Sequence, residues 1–174
     1  MTRHRLENSV WGFASNCFVC EEANPAGLRI PFFHDDETGT VVADVELADT
    51  FSGAPSYAHG GIVLAILDEA MAWATIAIER TFAVTGRTEA EFLRPVRIGR
   101  PYRVEARVSG RSADGIDTAA QILSATTGKV SAVARATFVP LDAAHTRAAV
   151  GREVSGADAS FIARRGPAPP ADRP

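Results

Sequence analysis

The residues best suited to chemistry lie in one stretch: His59-Gly60-Gly61, six apolar residues from Ile62 to Leu67, then the acids Asp68 and Glu69. Glycines ahead of a helix let a ligand approach the backbone closely. The first turn of a helix offers unpaired N–H groups and the positive end of its dipole. Such an end stabilises negative charge, including the oxyanion that develops during acyl transfer. An acid two turns into an apolar helix is costly to bury unless it is paired or used. A carboxylate so placed can serve as a general base or a nucleophile. One residue turns a helix by about 100°, so Asp68 and Glu69 cannot both face one site, and Glu69 competes with Asp68. The plainer reading is that His59 caps the helix, the glycines make a turn and the acid bonds a neighbouring backbone group, since a short motif matches by chance.

Two other groups of residues invite a chemical reading. Arg94, Arg97, Arg100, Arg103, Arg107 and Arg111 share their window with a single acid, Glu105. Arg103 and Arg107 alternate with apolar residues and read as a solvated strand face. Arg94, Arg97 and Arg100 sit near a strand end and a loop, where planar guanidinium groups can grip phosphate. The window is too short and too poor in aromatics for nucleic acid, and a net charge of −3 gives no bulk basic footprint. Cys17 and Cys20 form a lone C-x-x-C. With no other cysteine in the chain and no common ligand spacing to His4 or His34, they are read as structural thiols and no metal is expected. Met71 and Trp73 are expected in the core, and Tyr57 either lines a pocket or packs in its loop.

These groups need elements to position them. The 174 residues suit one domain, and a chain of this length buries enough surface to fold without staples. Alanine supplies 31 residues; of 18 cations only Lys129 is lysine. The spacing predicts a strand over 28–33, with Pro31 favouring an edge, and another over 41–47, joined by a turn at 35–39. A long helix follows from Gly61 to about Arg80. Two central acids and the many small residues make it a buried helix rather than a membrane span. Strands are predicted over 87–93, 102–109, 116–126 and 130–139, with turns at Asp114-Gly115 and Thr127-Gly128. One helix against a mainly antiparallel sheet is an α+β architecture. Residues 1–27 read as a looped lead-in, 28–140 as the domain, and 141–174 as a mobile alanine- and proline-rich tail with a short helix over 157–164. With few cysteines and no signal-like run at the start, the cytoplasm is the expected compartment.

The stretch from His59 to Asp68 resembles the signature of hotdog-fold acyl-CoA thioesterases, in particular the phenylacetate-pathway (PaaI-like) type: His-Gly-Gly, an apolar run, then an acid nine positions after the histidine. Cys17-Phe18-Val19-Cys20 with Asn24-Pro25-Ala26-Gly27-Leu28 resembles the N-terminal stretch of one subgroup. Phe92-Leu93-Arg94-Pro95-Val96-Arg97-Ile98-Gly99 and Thr137-Phe138-Val139-Pro140 resemble the family's later strand ends. The resemblance spans roughly residues 17–140. It implies a long central helix wrapped by the sheet, and hydrolysis of an acyl-CoA thioester with no cofactor beyond the coenzyme A of the substrate. Asp68 would be base or nucleophile, and the amide of Gly61 would bind the thioester oxygen beside Gly60. His59 would hold the loop or polarise the carbonyl. Thr85 would position the water, with Thr88 as competitor. Relatives often carry Asn or Gln where this chain has Ser52 and Gly53; either Ser52 substitutes or the acyl pocket is organised differently. With Tyr57, Arg94, Arg97 and Arg100, Ser52 completes the expected substrate contacts. The resemblance also implies a homodimer or homotetramer and no membrane partner. A carrier-protein thioesterase and a noncatalytic acyl-CoA-binding module are the rivals.

Overall fold

The computed structural model describes residues 3–12, 14–151 and 154. Nine strands and two α-helices occur among them: β1 (Arg3–Leu6), β2 (Phe32–Asp35), β3 (Thr40–Glu46), β4 (Ser52–Ala54), β5 (Tyr57–Ala58), α1 (Gly60–Ala77), β6 (Ala83–Phe92), β7 (Pro101–Ser112), β8 (Gly115–Ser124), β9 (Val130–Pro140) and α2 (Ala143–Val150). Seven strands form one sheet in the order β1-β2-β3-β7-β8-β9-β6, with every neighbouring pair antiparallel. β4 and β5 form a separate small hairpin just ahead of α1.

The run Ile62–Ala77 holds strong helix formers and no proline. His59 caps it: the chain is extended there and the imidazole accepts from the Gly61 amide. The helix ends earlier than the expected Arg80. Ile78 is the C-cap, and Arg80 adopts a left-handed conformation (φ 52°) that turns the chain back toward the sheet. By length and composition α1 could cross a membrane. Here Val63, Ile66, Leu67, Ala70, Met71, Trp73 and Ala74 are buried against the sheet. They meet inward residues such as Val104, Ile116, Ile122 and Phe138, so Met71 and Trp73 are core as expected.

The predicted strands after the helix are all present, mostly longer than expected. Three expectations are corrected. The strand expected from Leu28 starts only at Phe32. Arg29 is left-handed (φ 55°), Pro31 has no N–H to give, and the amides of Leu28 and Ile30 donate instead to Phe18 and Val19. The lead-in contains β1, an added edge strand whose Arg3 lies 3.4 Å from the buried Asp35 carboxylate. Residues 143–150, read as part of the tail with a helix only over 157–164, form α2, with Asp142 capping the His145 amide at 2.8 Å. The helix expected over 157–164 lies outside the described residues.

Candidate active site

Asp68 leaves the buried face of α1 and points toward β6. Thr85 Oγ1 donates to both its oxygens at 3.1 Å, and Thr88 Oγ1 lies 3.3 Å from Oδ1. Strand alternation would put residues three apart on opposite faces. The pairing of β6 with β9 slips between Thr85 and Arg87, leaving Gly86 as the extra residue of a bulge. A Cβ at Gly86 would lie 3.0 Å from the Val139 side chain, so glycine suits the packed bulge. The bulge turns both threonines to Asp68, and the two competing residues both serve it. The carboxylate is partly exposed.

Glu69, one step along, faces away from this cluster. Its carboxylate lies with the sulfurs of Cys17 and Cys20, all within 4.8 Å of one another. Burial, then the neighbouring Cys17 charge, pushes Glu69 up to about 8. The two acids thus face different neighbours: Asp68 the threonines of β6 and Glu69 the cysteine loop.

The start of α1 is exposed. Its Gly61 amide, expected to bind an oxyanion, donates to His59 Nδ1 at 2.9 Å. This holds the loop, one of the two roles considered for His59. The Gly60 amide makes no hydrogen bond among the described residues and opens at the helix end. The Phe92 ring lies beside Gly60, 3.8 Å from where a Cβ would stand. Ser52 pairs with Ala58 across the β4–β5 hairpin and is exposed. At Gly53 a Cβ would meet the His59 Cα at 3.0 Å, so no larger residue fits there without a shift.

Arg94, Arg97 and Arg100 line one open cleft of about 450 Å³ with Lys129 and Tyr102. Lys129, on the turn before β9, was not visible as a member because it is far from the arginines in sequence. Arg97 sits 5.7 Å from the Tyr57 ring centre, and its amide donates to the Tyr102 hydroxyl at 3.0 Å. Arg94 donates to the Val130 carbonyl at 2.7 Å. Arg103 pairs with Glu105 and Arg111 with Glu79, outside this cleft.

Comparison with known proteins adds a family. The model of the thioesterase-like superfamily matches residues 50–170. Among solved structures, a thioesterase superfamily protein superposes with TM-score 0.61 at 22% identity, over 67% of this chain and 56% of that one. The chain therefore spans little more than half the length of that protein. A phenylacetic acid degradation-related protein from Ralstonia eutropha gives 0.54 at 25% identity, covering 64% of this chain and 85% of that one. A Streptococcus mutans protein solved with acetyl CoA gives 0.55 at 18%, covering 59% and 82%. No curated protein sequence matches the chain.

Proposed function

This chain belongs to the thioesterase-like superfamily, with the hotdog fold of the PaaI-like type, and we propose that it hydrolyses an acyl-CoA thioester to a free acid and coenzyme A. The observation that carries this reading is Asp68, a partly exposed carboxylate held by two threonine hydroxyls, two turns into a helix whose start is exposed. Simple binding has no use for an acid so placed. Asp68 either takes a proton from water as it attacks the thioester carbonyl, or attacks the carbonyl itself. The helix start carries the developing oxyanion, with the open amide of Gly60 as donor and His59 holding the Gly61 amide. Charge then leaves with the thiolate of coenzyme A.

Geometry supports a two-chain site. Gly61 and Asp68 are seven residues apart on one helix, a rise of about 10 Å. Reacting groups must lie within about 3–3.5 Å of the attacked carbon. The helix start and the carboxylate of one chain therefore serve different carbonyls, and a second copy supplies the missing half of each site. The cleft of Arg94, Arg97, Arg100 and Lys129 suits the phosphates of coenzyme A. A carrier-bound acyl chain has the same pantetheine arm but no nucleotide for four cations to hold. The Streptococcus mutans relative was solved with acetyl CoA, which supports the same choice.

Thiol release over a panel of acyl-CoAs tests the reading. Turnover of at least one ester is expected; tight binding without thiol release would favour the binding module. Thr85→Val keeps the strand-favouring branch but loses the hydroxyl. It is expected to lower kcat on the order of 10²-fold, the scale of a small misplacement, with KM little changed. An unchanged kcat would remove Thr85 from the site. Arg94→Ala with Arg100→Ala is expected to raise KM for acyl-CoA about tenfold or more and to flatten its salt dependence. The same KM for the pair and the parent would place the phosphates elsewhere.

A further inference from the structure

The helix carries a second cluster that hydrolysis does not use. Cys17, Cys20 and Glu69 bring two sulfurs and a carboxylate within 4.8 Å of one another. We propose that these three residues form a site for a thiophilic divalent cation, zinc by preference, with water in the fourth position. A lone C-x-x-C offers too few ligands. The fold adds the third from α1, far away in sequence.

Zinc binds thiolate at about 2.3 Å and carboxylate at about 2.0–2.2 Å. Two thiolates on one tetrahedral ion then lie about 3.8 Å apart, so the cluster closes onto an ion with little movement. Two soft sulfurs and one oxygen favour zinc over magnesium or calcium, which want all-oxygen shells. The loop is held for this geometry. The amides of Val19 and Cys20 donate to Cys17 Sγ at 3.3 and 3.4 Å. The carbonyls of Phe18 and Val19 hold the Leu28 and Ile30 amides, and Asn24 Nδ2 bonds the Asn16 carbonyl at 3.1 Å. Ligands fixed in this way lose little entropy on binding.

An arriving cation takes the place of the thiol protons, which leave to solvent. Access exists: Cys20 lines a cleft of about 330 Å³ with Asn8, Ser15, Glu21 and Trp73, and the Asn8 amide nitrogen is 3.9 Å from the Cys20 sulfur. The ion would clamp the N-terminal loop to the helix one residue from Asp68. This site stands independently of the thioesterase reading.

Cobalt(II) is the probe, because thiolate ligation gives it a charge-transfer absorption that oxygen ligation lacks. The full chain, reduced and stripped with a chelator, is titrated with cobalt, then with zinc. One equivalent of cobalt should bring up the band, zinc should displace it, and zinc should raise the Tm. Cys20→Ser should lose the band. Glu69→Gln should keep the thiolates and weaken binding roughly tenfold or more, at least as much as loss of an outer-shell partner does. A reduced parent protein with two titratable thiols but no band and no zinc-dependent Tm shift would overturn the site. So would a band that survives Cys17→Ser combined with Cys20→Ser.

Discussion

Asp68→Asn is expected to lower kcat for thioester hydrolysis by about 10²–10⁴-fold, the usual contribution of a positioned general base. The amide cannot accept a proton from water and cannot attack a carbonyl. Its oxygen still accepts from Thr85 and Thr88, which bracket Asp68 at 3.1 and 3.3 Å. The fold should therefore stay intact, and the affinity for an unreactive acyl-CoA analogue should be nearly unchanged. Steady-state kinetics with that binding measurement and a thermal melt separate the chemical loss from a folding loss. Glu69 cannot take over, because it faces Cys17 and Cys20 on another side of the helix. Hydrolysis at the parent rate would remove Asp68 from the mechanism. Heavy-oxygen water then distinguishes its two roles. A single turnover that leaves label in Asp68 requires an acyl-aspartyl anhydride and makes the residue a nucleophile; a general base leaves all the label in the acid product.

Much of this was readable from local pattern, and what was not depends on long-range pairing. The central helix followed from an apolar run capped at His59, and strands β7 to β9 followed from alternation between turn residues. The choice between Thr85 and Thr88 had no answer in a period-two pattern, because a bulge at Gly86 turns both to one face. The choice between Asp68 and Glu69 needed their angular neighbours, which lie on β6 for one and on the 17–20 loop for the other. Strand β1 escaped notice because Arg3, His4 and Arg5 carry no apolar alternation. It is held by pairing with β2 and by the buried Asp35. The oxyanion assignment to Gly61 followed from the motif alone. The structure adds that His59 already occupies that amide, and that Gly60 presents the open one.

Phe92→Glu with Leu93→Glu is expected to convert an oligomer into monomers and to cost activity by two or more orders of magnitude at low protein concentration. Strand β6 ends the seven-stranded sheet, so its outer edge has backbone groups without a strand partner among the described residues. Val84, Phe92 and Leu93 on that strand and its exit are 47%, 55% and 51% exposed. A ten-residue edge with large apolar side chains suits pairing with a second copy. The same strand carries Thr85 and Thr88, and Phe92 lies beside Gly60. Pairing there would bring the Asp68 cluster of one copy toward the helix start of the other, as the 10 Å separation along one helix demands. Two glutamates on each copy would face each other across a twofold axis, where like charges oppose association. Sedimentation of the parent and the variant over a range of concentrations reads the assembly directly. Activity recovering as protein concentration rises would follow mass action and tie catalysis to the pair. A loss that does not change with concentration would mean that Phe92 acts locally at the helix start. A parent protein that is monomeric and fully active would remove the two-chain site altogether.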